Sequence, residues 1–121
     1  MHFLHADDNA VIRPLIARIL TGAGHRVNSV ESGEELLRQL ALARYDAVIT
    51  DNSMDPRGKT GVEVLQAIRA DPRLRDLPVL VLSGDADEIK DSVEALGSAV
   101  ASKASAREEL FAWIEKIKPP A

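Results

Sequence analysis

Cysteine is absent from the 121-residue chain, and its absence removes three kinds of chemistry. Without a thiol there can be no disulfide, no thiolate metal site and no cysteine nucleophile. No apolar run approaches the roughly 18 residues that a membrane-spanning helix needs. The amino terminus also lacks a secretory signal, because His2-Phe3-Leu4 runs almost directly into Asp7-Asp8. We therefore expect a cytoplasmic protein without a membrane segment.

Positive charge is scarce. Lys and Arg number 15 against 19 Asp and Glu, which gives a net charge of -4 at pH 7, and the cationic residues form no long cluster. Nucleic acid is therefore an unexpected partner, since binding phosphates usually needs a basic face. Repeats, low-complexity tracts and internal linkers are absent too. The length and the 45% apolar content suit one packed core, so we expect a single domain, residues 1–121, without an output domain.

Short apolar segments predict five strands, at 1–6, 26–30, 47–50, 79–82 and 99–102. The third and fourth are apolar at successive positions, which is typical of central parallel strands that are covered on both faces. The second is more polar, as an edge strand can be. Between these segments, apolar residues recur every three or four positions, which predicts five helices. Alternating strands and helices favour a doubly wound α/β fold, with a parallel sheet and helices on both of its faces.

Residues typical of helix ends support this division. Two Ser/Glu pairs fit the capping box, two glycines suit left-handed helix ends, and one Asp-Pro pair should stop the third helix. These are Ser32 with Glu35, Ser105 with Glu108, Gly24, Gly97, and Asp71-Pro72. Pro14 is tolerable only in a first turn, so helix one should begin near residues 9–13 or kink there.

Polar residues follow four of the predicted strands, at the edge where ligands bind in such folds. They are Asp7-Asp8, Asp51, Ser83 and Lys103. Clustered carboxylates repel one another unless a cation lies among them, and Mg²⁺ prefers oxygen ligands. A carboxylate can also attack phosphorus to form an aspartyl phosphate. The added charge would then need a positive side chain and a hydroxyl donor, the residue types of Lys103 and Ser83.

Over essentially its whole length, the chain resembles the receiver domains of two-component response regulators. The resemblance rests on residues 3–9, 45–51 and 79–84, together with Met54, Gly61 and Lys103. It implies the flavodoxin-like receiver fold, and we expect a five-stranded parallel sheet in order 2-1-3-4-5 with five flanking helices. It also implies that Asp51 takes a phosphoryl group from a phosphohistidine donor.

The resemblance assigns further roles. Asp8 and Asp51 would bind Mg²⁺ directly, Asp7 would assist through water, and the backbone carbonyl of Ser53 would be a further ligand. Lys103 would pair with a phosphoryl oxygen, and Ser83 would hydrogen-bond to the phosphoryl group and carry the change outward. The chain would be a signalling phosphoacceptor that promotes only its own phosphorylation and dephosphorylation, not an enzyme acting on another substrate.

The implied donor is a histidine kinase or a histidine phosphotransfer protein. A downstream protein would dock on the face formed by helix four, strand five and helix five. Phe111, interpreted as exposed on helix five, is a candidate contact for a partner, whereas Trp113 should be core. Homodimer formation stays open, and so does the choice between a stand-alone regulator and a receiver cut from a longer protein.

Four features depart from the family pattern. Asp55 separates Met54 from Pro56, and Gly61 comes about two residues late, so the 51–60 loop is longer and could alter donor choice. Ala104 replaces the proline that usually follows the lysine, and Val100 replaces an aromatic residue that often moves with the hydroxyl. His5 replaces an aliphatic residue, and we interpret it as a core or rim histidine rather than a ligand. His2 and His25 are interpreted as surface residues.

Two other functions stay open. A pseudo-receiver would share the fold but never be phosphorylated, and would act as an interaction module. The presence of all five polar groups argues against it. A flavodoxin-like cofactor binder would need a glycine-rich phosphate loop after strand one, where Asp7-Asp8 would repel a phosphate.

Overall fold

A computed structural model of the protein describes residues 1–52 and 59–117. Its sheet contains β1 (His2–Ala6), β2 (Arg26–Val30), β3 (Ala47–Asp51), β4 (Val79–Ser83) and β5 (Ala99–Ser102). The strands are all parallel and lie in the order β2-β1-β3-β4-β5, which confirms the predicted topology. The chain therefore reverses its direction of winding between β1 and β3, and a ligand cleft is expected where these two strands end.

Five helices cover the sheet: α1 (Ile12–Gly22), α2 (Gly33–Leu42), α3 (Gly61–Ala70), α4 (Ala86–Ala95) and α5 (Ala106–Ile117). Successive residues of a strand point to opposite faces, so β1 sends Phe3 to one side and Leu4 to the other. Leu4 belongs to the core layer beneath α2, α3 and α4. Phe3 belongs to the layer beneath α1 and α5, which also contains Trp113. No helix within 1–52 and 59–117 is long and apolar enough to cross a membrane.

Most of the predicted helix ends are confirmed. Ser32 Oγ accepts a hydrogen bond from the Glu35 N–H at 3.1 Å, and Gly24 and Gly97 have φ angles of +89° and +70°. α1 begins at Ile12, which places Pro14 in the first turn, where its missing N–H costs nothing. α3 ends at Ala70, directly before Asp71-Pro72.

One predicted helix start is wrong. Ser105 does not cap α5, because a 3₁₀ turn, Lys103–Ser105, runs into that helix and is itself capped by Ser102. The reciprocal capping box lies instead at α3. There Thr60 Oγ accepts from the Glu63 N–H, and the Glu63 carboxylate accepts from the Thr60 N–H.

Two histidine predictions also need correction. His2 and His25 are half-buried rather than on the surface, because aromatic residues at the amino-terminal edge of the sheet cover them. The His2 ring lies 4.6 Å from the Tyr45 ring, and His25 packs edge-on against Phe3 at 5.2 Å. Phe111, predicted to be exposed, is half-buried as well and packs against the core layer under α1 and α5.

Candidate functional site

The predicted site residues gather at the carboxyl end of the sheet. Asp7 follows β1 directly, Asp51 and Ser83 are the last residues of β3 and β4, and Lys103 follows β5. Both β3 and β4 are one residue longer than predicted, so Asp51 and Ser83 are held by the sheet itself. Because parallel strands end at the same edge, residues far apart in the sequence become neighbours there.

Three carboxylates cluster at this edge. One oxygen from each of Asp7, Asp8 and Asp51 lies within 4.8 Å of the others. Asp7 and Asp51 are buried, whereas Asp8 is exposed. The Lys103 ammonium completes the group, with Nζ 2.7 Å from Asp51 Oδ1. The structure thus brings together four of the residues that the sequence singled out.

The crowding of carboxylates affects the pKa of Asp7. Burial raises the pKa of its carboxyl, and the negative charges of Asp51 and Asp8 act in the same direction. A hydrogen bond from the Asn9 N–H to Asp7 Oδ1, 2.9 Å long, and the charge of Lys103 partly oppose this rise in pKa. Asp7 Oδ2 is buried without a hydrogen-bond partner among the described residues. An unsatisfied buried oxygen next to two other carboxylates is typical of a place for a cation or its bound water.

The donor set fits a hard divalent cation. All three clustered side chains offer carboxylate oxygens, which Mg²⁺ prefers, and exposed Asp8 leaves the cluster open to water, several molecules of which Mg²⁺ usually retains. The predicted carbonyl ligand, Ser53, lies outside the described residues, as do Asp55, Pro56 and Arg57 of the lengthened loop.

The chain matches a known protein family. The family model described as "Response regulator receiver domain" matches residues 3–115. The chain belongs to the response regulator receiver family. Receiver domains are signalling phosphoacceptors that bind Mg²⁺ in an acidic pocket and interact with histidine kinases or phosphotransfer proteins. This assigns the chain to two-component signal transduction.

Individual relatives place the receiver in different contexts. Chemotaxis protein CheY of Pseudomonas aeruginosa is 34% identical over 121 residues, which cover 97% of this chain and 95% of CheY. The two-component response regulator ORR6 of Oryza sativa subsp. japonica is 36% identical over 88 residues, 70% of this chain but 51% of ORR6. The match to the sensory/regulatory protein RpfC of Xanthomonas campestris pv. campestris is 39% identical over 87 residues and spans 12% of RpfC.

Solved structures agree on the fold. The chemotaxis response regulator CheY4 of Vibrio cholerae superimposes with a TM-score of 0.84 and 28% identity, covering 97% of this chain and 98% of CheY4. The response regulator TrrA of Thermotoga maritima, crystallised in complex with Mg²⁺-BeF, gives a TM-score of 0.81 at 28% identity and the same coverage.

The Ser83 hydroxyl of this receiver domain forms a local hydrogen bond. Ser83 is 4% exposed, and its Oγ accepts a hydrogen bond from the Asp85 N–H at 3.0 Å. A serine hydroxyl can accept and donate at the same time, so its proton remains available for an incoming oxygen. Val100, at the position where the family often has an aromatic residue, is half-buried on β5.

Several residues that support the site were not predicted. Asn9 Oδ1 accepts from the N–H groups of Val11 and Ile12, and Arg13 donates from Nη1 to the Asp7 carbonyl oxygen at 2.9 Å. These contacts fix the loop that carries Asp7 and Asp8. An asparagine just before a helix is a known capping signal and could have been found, whereas the reach of Arg13 back to β1 depends on the folded geometry.

His5 lies behind the acidic cluster as a core residue. It is fully buried, and its Nδ1 is 3.2 Å from Ser29 Oγ on the neighbouring strand. Burial lowers the pKa of His5 to about 4, with the charge of Asp51 acting in the opposite direction. The ring is therefore neutral near pH 7, as the interpretation of a core histidine requires. It is not part of the carboxylate cluster.

Proposed function

We propose that this receiver domain accepts a phosphoryl group on Asp51 from a phosphohistidine of a histidine kinase or histidine phosphotransfer protein. The observation that carries the proposal is the 2.7 Å ion pair between Lys103 and the buried Asp51, formed inside the carboxylate cluster. A carboxylate held rigidly at the end of a central strand is a suitable nucleophile, and an ammonium beside it can stabilise the charge that arrives.

The transfer is an exchange of one bond to phosphorus for another. An Asp51 carboxylate oxygen forms the new P–O bond while the P–N bond to the donor imidazole breaks. The electron pair of that bond returns to the imidazole nitrogen, which takes up a proton from solvent. The acceptor thus becomes an acyl phosphate, and the phosphoryl group brings additional negative charge into a site that already holds three carboxylates.

Lys103 and Ser83 are proposed to receive that charge. Lys103 already contacts Asp51 and can shift its ammonium to a phosphoryl oxygen, a charge-assisted contact. Ser83, the last residue of the adjacent strand, can donate its hydroxyl proton. Together they provide a positive charge and a hydrogen-bond donor where the new oxygens form.

Asp8 and Asp51 are proposed to hold Mg²⁺ directly and Asp7 to hold it through water, with the Ser53 carbonyl as a further predicted ligand outside the described residues. When bound, the ion offsets the negative charge of the carboxylates and of the phosphoryl oxygens. Asp7 Oδ2, buried without a partner among the described residues, supports this assignment.

The signal is proposed to leave through the face formed by α4, β5 and α5. Ser83 ends β4 shortly before α4, and Lys103 directly follows β5, so both groups that would contact the phosphoryl group adjoin elements of that face. A change in their contacts would alter docking of a downstream protein. Comparing the molar mass of the phosphorylated and the unphosphorylated protein in solution tests whether the chain also pairs with a second copy.

Intact-mass measurement tests the proposal. The protein is exposed to a small-molecule phosphodonor with and without Mg²⁺, alongside Asp51→Asn, which keeps the shape of the side chain but removes the nucleophile. We expect Mg²⁺-dependent addition of one phosphoryl group to the original protein and none to Asp51→Asn, with both folded by circular dichroism. Absence of labelling in the original protein would favour the pseudo-receiver, and labelling of Asp51→Asn would show that the acceptor is another residue.

A further inference from the structure

The backbone on both sides of Lys103 is held by side chains that the sequence did not single out. Glu109, in the first turns of α5, accepts a hydrogen bond at Oε2 from the Ser102 N–H at 2.6 Å. Ser102 Oγ in turn accepts from the Ala104 N–H at 3.2 Å. The residue before Lys103 and the residue after it are thus connected to each other and to α5.

The position of β5 explains why this support is needed. Among residues 1–52 and 59–117, β5 is an edge strand that pairs with β4 alone, and Ser102 is its last residue. The Ser102 N–H has no accepting strand beside it in the described part of the chain, and it donates to the Glu109 carboxylate instead. Ala104 adds to the need, because the family usually has a proline after the lysine, and proline would restrict the backbone there.

Lys103 depends on this backbone to reach its partner. Its side chain is 35% exposed, and Nζ must stay within 2.7 Å of a carboxylate that is 1% exposed. A lysine side chain has considerable rotational freedom. Each unrestrained backbone torsion next to it adds to the conformational entropy that is lost when the ion pair forms. Fixing Ser102 and Ala104 therefore reduces the number of directions in which the ammonium can point.

We infer that Glu109 is a positioning residue, which acts through Ser102 to hold Lys103 against Asp51 and so favours phosphoryl acceptance. The inference rests on the proposed function of Asp51. Glu109 itself touches neither Asp51 nor the carboxylate cluster within the described residues; its effect is expected to pass entirely through Lys103.

A matched pair of variants tests the inference. Glu109→Ala removes the acceptor, and Glu108→Ala removes the same charge from the next position on the exposed side of α5. Mg²⁺ affinity and the affinity for beryllofluoride, a phosphoryl mimic, are measured by titration on each. We expect Glu109→Ala to weaken beryllofluoride binding roughly fivefold, as for loss of one exposed charge-assisted hydrogen bond, with Mg²⁺ affinity within about twofold of the original. Glu108→Ala should leave both unchanged.

Two further variants separate positioning from general stability. Glu109→Gln keeps an amide oxygen as acceptor and should restore most of the beryllofluoride affinity. In a Lys103→Ala background, Glu109→Ala should have no further effect on phosphorylation by a small-molecule donor, because the residue it positions is gone. Thermal unfolding should show every variant folded at the temperature of the assays.

The outcomes distinguish this inference from the proposed function. If the original protein binds beryllofluoride and Glu109→Ala behaves like Glu108→Ala, the positioning role is wrong and the phosphoacceptor role stands. An additive loss in the Lys103→Ala background would also overturn it, since Glu109 would then act by another route. If the original protein neither binds beryllofluoride nor becomes phosphorylated, the proposed function itself fails.

Discussion

Gly61, the first residue of α3, lies so close to the end of β3 that a Cβ added to it would be 2.9 Å from the Asp51 carbonyl oxygen and 2.9 Å from Asn52 Cα. Both neighbours are backbone atoms, which cannot move away as a side-chain tip can. The Gly61 N–H also donates to the Asn52 carbonyl at 3.2 Å, so the two segments are bonded at this contact. Glycine is therefore required here for close packing next to Asp51.

Gly61→Ala should destabilise the protein and displace the acceptor. Overpacking at a backbone contact typically costs about 1–3 kcal/mol, and the shift should fall on β3 at Asp51. We expect a lower unfolding midpoint in urea and weaker Mg²⁺ binding. Gly22→Ala is the matched control, because a Cβ on Gly22 would meet nothing within 4 Å, and it should be neutral or slightly stabilising. Equal behaviour of the two variants would contradict the packing argument.

The strands, the helices and the residues at the strand ends could be predicted because their signals are local. Central strands such as 79–82 are apolar at successive positions, and parallel strands bring their last residues to one edge. The prediction that Ser105 caps α5 was wrong because Ser102, three residues earlier, caps the 3₁₀ turn from which α5 continues. Local pattern does not show which of two nearby serines will cap.

Contacts across the fold could not be predicted. Arg69 on α3 donates to the carbonyls of Leu74, Leu77 and Leu96 and to Ser98 Oγ, and so ties α3 to the starts of β4 and β5. Its most distant partner is 29 positions away, and nothing in its sequence neighbourhood distinguishes it from an exposed helical arginine. The half-burial of His2 and His25 has the same origin, since each is covered by an aromatic residue from another segment.

Lys103→Ala should separate the binding of metal from the response to phosphoryl. The variant loses the 2.7 Å contact between Lys103 and Asp51. It keeps all three carboxylates of the cluster, which are the proposed Mg²⁺-binding groups. We expect Mg²⁺ affinity to change by no more than a few-fold, while beryllofluoride affinity falls by about tenfold or more, since a charge-assisted contact to the bound group is lost. Titrations of both ligands provide the measurement. Lys90→Ala, which removes an exposed lysine from α4, is the control for net charge.

If Lys103→Ala lost Mg²⁺ binding more severely than beryllofluoride binding, the role of Lys103 would be misassigned. The lysine would then support the metal ligands rather than the transferred group. Testing Lys103→Arg in the same way asks whether charge alone suffices, because a planar guanidinium has a different reach and geometry from an ammonium.

His5 should make the folded state sensitive to acid. Burial lowers the pKa of His5 from its ordinary value of 6.5 to about 4, so the unfolded chain binds a proton in this interval that the folded chain does not. Stability from this group is therefore fully present above pH 6.5 and is lost as the pH falls toward 4. Between pH 7.5 and pH 5 the loss should be about 2 kcal/mol.

His5→Leu places an aliphatic residue at this position, as the family usually has, and should flatten the profile. We expect the difference in unfolding free energy between pH 7.5 and pH 5, measured in urea, to shrink by about 2 kcal/mol relative to the original protein. His2→Gln provides a comparison in which another histidine is removed from the same strand. An unchanged slope in His5→Leu would mean that the ring can take up a proton in the folded protein.

Asp7→Asn should stabilise the metal-free protein while weakening its metal binding. The pKa of Asp7 is raised mainly by burial, so the folded state holds a proton on this group more tightly than the unfolded chain does. Ionisation of Asp7 therefore opposes folding once the pH exceeds its unfolded value, and the penalty is complete above the folded value. Below both values the penalty disappears. The amide of asparagine cannot ionise and can donate to the neighbouring carboxylates.

Chemical denaturation at neutral pH, with and without Mg²⁺, measures both effects. Without Mg²⁺, we expect Asp7→Asn to be more stable than the original protein by roughly 1 kcal/mol, the order of one buried polar atom gaining a partner. With Mg²⁺ present, the difference in stability between the two proteins should shrink or change sign. The variant has lost a carboxylate from the cluster and is therefore stabilised less by the ion. A variant that is less stable without Mg²⁺ would show that Asp7 ionisation does not oppose folding, and would remove the electrostatic argument for a cation at this site.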